Sequence, residues 1–311
     1  MTNQPFISII LPVFNEALHI EACLKTLLEI DYPKTKYEII TVDNGSTDES
    51  LDIAQRYADL ALVLKGVNVG AVRNFGVQHA KGDFIAFLDS DCLVPQNWLE
   101  HGINKLKNTP DSILGGNLYL RKNPAWIEKY WLLDNPNTEP LQKDLLGSCI
   151  LIEKQDFIKA SGFDENITSG EDSELSIKLR NSGKKIIIDR AFGVVHLGNP
   201  TTVAAFLKRQ IWHSENYLSS WKKSIKDIMF WLVCGYTLGC IGLIAGIFQI
   251  TGYHLNIIFL ALVLMPPSLL TTKRMVRAKV KISSPVQVAS IWLIDNLYLI
   301  GRSAGMIKGI I

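Results

Sequence analysis

The chain has 311 residues, room for one large domain or two smaller ones. With 32 basic and 30 acidic residues the net charge is +2, so no global field draws the protein to nucleic acid. Five scattered cysteines (Cys23, Cys92, Cys149, Cys234 and Cys240) form no Cys-x-x-Cys pair, which argues against a disulfide framework or a zinc site and for a reducing compartment.

The N-terminus, MTNQPFISIILPVFNE, lacks the basic start and long apolar run of a signal peptide. Short apolar runs predict strands at 7–13, 37–42, 61–64 and 84–88. Helices are expected at 16–28, where Ile20, Leu24, Leu27 and Leu28 share a face, and at 48–58, 71–80 and 98–106. Ser46 and Thr47 are placed to cap the second of these helices. Near-continuous Ile/Val/Leu strands separated by helices imply an α/β fold with a parallel sheet covered on both faces.

Polar clusters follow these strands. They are Asn15-Glu16, then Asp43 to Asp48, then Asn68-Val69-Gly70, then Asp89-Ser90-Asp91. Ligands of open α/β sheets bind at the carboxyl ends of strands, so the four clusters describe one site. Two carboxylates two residues apart at such a mouth suit a hard divalent cation, Mn²⁺ or Mg²⁺, bridging to phosphate oxygens. A metal there would neutralise the charge that develops on a diphosphate leaving group.

The apolar excess, 48% of residues, gathers late in the chain. Residues 228–250 hold no charge and are long enough to span a bilayer. A second run, 255–270, is interrupted by Pro266 and Pro267, and a third, about 286–303, carries Asp295 and Asn296. A charge in lipid is costly, so the third segment is expected in the interface or packed on its neighbours. Lys222, Lys223 and Lys226 precede the first run, and Lys273, Arg274, Arg277, Lys279 and Lys281 follow the second. Basic flanks stay cytoplasmic, which puts the catalytic portion at the cytoplasmic face of the membrane. The resulting division is a domain over 1–225 and membrane-associated helices over 226–311.

In order and spacing, Pro12-Val13-Phe14-Asn15-Glu16, Asp43-Asn44-Gly45-Ser46-Thr47-Asp48, Gly70-Ala71-Val72-Arg73-Asn74, Gly82-Asp83 and Asp89-Ser90-Asp91 resemble the successive motifs of glycosyltransferase family 2. The likeness continues through Gly147-Ser148, Ser161 to Glu165 and Gly170 to Leu175, and covers about residues 6–217. The resemblance implies a GT-A fold, a Rossmann-like nucleotide-diphospho-sugar transferase domain, and an inverting, metal-dependent sugar transfer. It implies that Asp43 binds the nucleobase, that Pro12, Asn15, Glu16, Ser46 and Ser90 shape the donor pocket, and that Arg73 lies near the base or diphosphate. Asp91 would bind the metal, Asp89 the ribose or the metal, and Asp172 would be the catalytic base, with its neighbour Glu171 as the competing candidate. His196 offers a further metal ligand or a diphosphate contact. Arg209, Trp212 and His213 are candidates for the acceptor side, a position an interfacial helix would also explain.

The donor implied is a nucleotide sugar, with uridine diphosphate favoured, and the acceptor a lipid-linked or surface glycan. Residues 208–212 read Lys-Arg-Gln-Ile-Trp, not the Gln-x-x-Arg-Trp of processive synthases, which favours single-sugar addition. A polyprenyl-phosphate glycosyltransferase would share the same donor site. A non-catalytic, membrane-anchored nucleotide-sugar binder is the alternative of another class.

Overall fold

The computed structural model describes residues 4–133, 142–167, 169–215, 217, 221–248, 250 and 252–309. Two compact units form. The first holds residues 1–121 and 140–198, the second residues 122–139 and 199–311.

In the first unit, β1 (Ile7–Val13), α1 (Ile20–Leu28), β2 (Tyr37–Asp43), α2 (Ser50–Tyr57), β3 (Leu60–Val63), α3 (Val69–His79) and β4 (Phe84–Leu88) alternate along the chain. They are followed by β5 (Cys92–Leu93), α4 (Trp98–Asn108) and β6 (Ser112–Tyr119). The chain leaves this unit for α5 (Trp126–Leu132), then returns as β7 (Cys149–Glu153), α6 (Lys154–Lys159), α7 (Glu171–Asn181) and β8 (Lys185–His196).

The strands form a sheet in the order β3-β2-β1-β4-β7-β6-β8-β5. The first four are parallel, as the sequence predicts. The rest are not all so: β7 runs antiparallel to β4 and β6, and β5 antiparallel to β8, making the sheet mixed. Successive side chains of a strand point to opposite faces. Ile7, Ile9 and Leu11 therefore enter a core with α1, α2 and α4, while Ile10, Ile40 and Phe87 enter one with α3, α6 and α7. Both faces are covered, so the strands read as unbroken apolar runs rather than alternation. Each fully buried Ile or Phe contributes about 1.5–3 kcal/mol.

Two local expectations are corrected. The first helix begins at Ile20 rather than 16, because Asn15, at φ 55°, turns the chain sharply out of β1. The second helix begins at Ser50, with no side-chain cap. Ser46 and Thr47 do not cap it; both bind Asn15 instead, tying the loops after β1 and β2 together.

The second unit contains α5, α8 (Val203–Ser214), α9 (Trp221–Ser224), α10 (Ile228–Ile247), α11 (Tyr253–Arg277) and α12 (Pro285–Lys308). Ile127, Phe206, Phe230, Val233, Ile294 and Leu299 share its core. Residues 203–214 thus pack with the later helices, although their composition groups them with the strands. Pro266 and Pro267 do not end the second apolar run; α11 passes through both. Among the described residues α10 and α11 are long and apolar enough to cross a membrane. Asp295 of α12 is buried, accepts a hydrogen bond from Thr271 Oγ1 at 2.7 Å and pairs with Arg274. That answers the cost of its charge within the helix bundle, where Arg274 also lies 4.7 Å from the Trp131 ring centroid.

Candidate active site

The carboxyl ends of β2, β1 and β4 lie side by side, because β1 is central and all three are parallel. Val13 is level with Asp43, and Ile10 with Phe87, so Asp43 and the Asp89–Asp91 segment stand two strands apart on one edge. That separation is about 10 Å, the span of a nucleoside rather than of a single contact.

Asp43 ends β2 and is only 2% exposed. Its Oδ2 accepts from the Gly45 and Ser46 amides at 2.8 and 2.9 Å. Its Oδ1 is buried and, among the described residues, meets no hydrogen-bond donor. A buried acceptor left without a donor is expensive, and a base N–H is the kind of group that would satisfy it. Pro12 is half-buried on β1. Asn15 and Ser46 are joined directly, the Asn15 amide donating to Ser46 Oγ at 2.9 Å. The Glu16 amide donates to Ser50 Oγ at 2.7 Å, which fixes the Glu16 backbone at the mouth of the cleft.

Asp91 and His196 meet. The His196 Nε2 lies 3.4 Å from Asp91 Oδ2, and both residues are buried. The cause is a short antiparallel ladder in which Cys92 faces His196, while the Leu197 amide donates to the Asp91 carbonyl at 2.8 Å. Cys92 joins them; its Sγ is 3.5 Å from Asp91 Oδ1, and ligand atoms of all three lie within 4.8 Å of one another. The sequence reading missed Cys92. Its only signal is adjacency to the acidic pair, and the facing of His196 across a ladder is not visible in one dimension. Gly198 crowds the same carboxylate, since a Cβ there would overlap Asp91.

A carboxylate oxygen beside an imidazole nitrogen is a donor set that fits Mn²⁺ better than Mg²⁺, which prefers oxygen alone. Acidic groups crowd this end of the sheet. Burial pushes the Asp91 carboxyl up, and Asp89 adds to this, while His196 opposes it. Glu16 is pushed up to about 7, first by burial and then by Asp91, Asp89 and Asp48. His19 is held below its ordinary value by burial, although Asp91 pulls it up.

Asp89 is engaged by Arg73. Its Oδ1 accepts from Arg73 Nη2 at 2.7 Å. Arg73 Nη1 donates to Glu171 Oε1 at 2.8 Å. Arg73 is 3% exposed. Asp172, the next residue of α7, accepts from the Gly147 amide at 3.2 Å and the Ser173 amide at 2.7 Å. Its carboxyl is raised by burial and by Glu171, and lowered by the two amides and Arg73. Ser90 is buried between the two acids.

Glu16 gives a pH-dependent test. Its carboxyl takes up protons at 4.5 in the unfolded chain and at about 7 in the fold. Folding therefore binds a proton between those values, and stability falls as pH rises from 4.5 to 7. Glu16→Gln, which mimics the protonated acid, should leave the melting temperature unchanged at pH 4.5 or below. The variant should gain steadily up to pH 7 and hold its advantage above it, measured by thermal denaturation in EDTA. An equal shift at all pH values would refute the assignment.

Residues 8–159 match the family model described as glycosyl transferase family 2. Glycosyltransferase AglE of Haloferax volcanii is 29% identical over 253 residues, 76% of this chain and 82% of that protein. A poly(ribitol-phosphate) beta-glucosyltransferase of Bacillus spizizenii is 31% identical over 207 residues, 61% of this chain but only 32% of that protein. The solved mannosyltransferase PcManGT of Pyrobaculum calidifontis, in complex with GDP-Man and Mn²⁺, superposes with a TM-score of 0.62 at 18% identity, covering 98% of this chain and 88% of its own. That likeness establishes the GT-A-like architecture.

Proposed function

We propose that this chain, which belongs to glycosyl transferase family 2 and is a glycosyltransferase using a nucleotide-sugar donor, carries out an inverting, Mn²⁺-dependent transfer to a lipid-linked or surface glycan at the cytoplasmic face of a membrane. The observation that carries the metal-dependent part is the meeting of Asp91 and His196 at the end of β4.

The donor's base would meet Asp43, whose Oδ1 has no donor among the described residues, and Pro12, Asn15, Glu16, Ser46 and Ser90 would shape the donor site. Asp91 and His196 would hold the cation, which supplies the charge that neutralises the departing diphosphate. Asp172 acts as base. It takes the proton of an acceptor hydroxyl, whose oxygen then bonds to the anomeric carbon from the face opposite the diphosphate. Burial favours this, because a carboxylate with a raised affinity for protons is a better acceptor near neutrality. Glu171 is the weaker candidate, its Oε1 being bound to Arg73. The solved structure of similar fold also supports a cation: PcManGT was solved with GDP-Man and Mn²⁺.

The membrane reading rests on α10 and α11. Their outward residues include Trp231, Leu238, Ile241, Ile244 and Ile247 on α10, and Leu255, Ile258 and Leu264 on α11, all more than 40% exposed. Apolar faces this long are unstable in water and stable in lipid. The same helices favour an acceptor that itself resides in the membrane, including a polyprenyl phosphate.

Purified protein in detergent, offered UDP-, GDP- and dTDP-sugars with Mn²⁺ and a lipid extract, should release nucleoside diphosphate from one donor class and label the lipid fraction. EDTA should stop the reaction and Mn²⁺ restore it. Undiminished transfer in EDTA would refute the metal-dependent reading.

A further inference from the structure

Arg73 pairs with acids on two elements of the first unit, Asp89 after β4 and Glu171 on α7. Nη2 holds Asp89 at the end of β4, and Nη1 holds Glu171 in the first turn of α7. The Phe163 ring centroid lies 5.4 Å from its carbon Cζ. The backbone of Gly147 closes over it: a Cβ on Gly147 would sit 2.7 Å from Cζ, Nη1 and Nη2 alike, which places that missing methyl above the guanidinium plane. Only glycine permits this approach. The same Gly147 donates its amide to Asp172 Oδ2 at 3.2 Å.

We propose that Arg73 is a positioning residue, a strut that sets the distance between the donor-side acid Asp89 and the base Asp172 and does not itself bind the donor. It reaches Asp172 by two routes, through Glu171, its helical neighbour, and through the Gly147 backbone packed on the guanidinium. A planar fork with two fixed donors suits this role, where a lysine would supply one point of contact. Two carboxylates flank the guanidinium, so it enters the cleft already neutralised and has little net attraction left for a diphosphate.

The inference rests on Asp172 being the base. The charged groups that act on the Asp172 carboxyl are Glu171 beside it and Arg73 beyond, and the amides of Gly147 and Ser173 donate to it. Removing either charge moves the base in a definite direction. In Arg73→Met the acid limb of the kcat/KM profile should move to higher pH, because a cation that favoured the carboxylate is gone. In Glu171→Gln it should move to lower pH, because a repelling neighbour is gone. Arg73→Met should also lower kcat about 100-fold, as expected of a misplaced catalytic group. Arg73→Lys should restore only part of that, because the second contact of the fork is lost.

The experiment is the pH profile of these variants with the full-length protein in detergent, beside isothermal titration of each with UDP and GDP in Mn²⁺. Opposite shifts of the acid limb support the strut. A limb unmoved in both variants overturns it, as does an Arg73→Met loss lying wholly in nucleotide affinity with kcat intact. Should Arg73→Met not fold, Glu171→Gln decides alone, and an unmoved limb there is again fatal. Asp172→Asn separates the two claims. If it keeps transfer, the base reading and the strut fall together. If it is inactive while the other profiles stay fixed, only the strut falls.

Discussion

Asp172→Asn should bind the nucleotide as the parent does and transfer almost no sugar. The amide keeps the shape of the side chain and can still accept from the Gly147 amide through its oxygen. It cannot take a proton. General-base catalysis contributes about 10²–10⁴-fold, so kcat should fall by about that factor while the dissociation constant for UDP or GDP in Mn²⁺ changes little. Single-turnover transfer alongside calorimetric binding would separate the two effects. Glu171→Gln should retain far more activity than Asp172→Asn, because Glu171 is engaged with Arg73. If the ranking of these two variants is reversed, Glu171 is the base and α7 presents its first residue, not its second, to the acceptor.

Asp91→Asn should remove the response to Mn²⁺. The neutral amide leaves His196 without the carboxylate that lies 3.4 Å away. Electrostatic stabilisation of a leaving group of this kind is worth about 10²–10³-fold in kcat, and Asp91→Asn should lose about that much. Activity is not the only readout. Electron paramagnetic resonance should show free Mn²⁺ in the variant at concentrations where the parent binds it. Gly198→Ala approaches the same point without changing charge, since a Cβ there collides with the Asp91 carboxylate. It should weaken Mn²⁺ binding in parallel. Unaltered Mn²⁺ binding in Asp91→Asn would remove Asp91 from the metal site and leave the electrostatic argument for a cation without its main ligand.

The raised Glu16 is consistent with this picture. An acid held to about 7 by burial and three neighbouring carboxyls is a local excess of negative charge that a divalent cation would relieve. The same excess is the reason the apo cleft is expected to be less stable at high pH.

Much of the first unit was legible because its physics is local. The four parallel strands are apolar over their whole length, since both faces are covered, and their positions were placed within one or two residues. The polar clusters stood out because turn residues at strand ends contrast with what precedes them. Asp89-Ser90-Asp91 was legible as a motif for the same reason. The apolar runs that became α10 and α11 were visible because length and lack of charge are properties of sequence alone.

What the sequence could not show depends on residues far apart in the chain. Ser46 and Thr47 read as helix caps because caps use the same residue types. Only the proximity of Asn15, some thirty residues earlier, decides that they serve a loop-to-loop tie instead. The resemblance implies that Arg73 lies near the base or diphosphate, but it does not name the acids that hold it. The fold buries it between Asp89 and Glu171, the latter 98 residues further along the chain. Cys92 and His196 come together only through the pairing of β5 with β8. Apolar pattern, turn chemistry and charge thus fixed the class of fold, the edge that carries the site and the acids along it. Which side chains meet across that edge was decided by the closing of the sheet, because contacts between distant residues are paid for by core burial and leave no local trace.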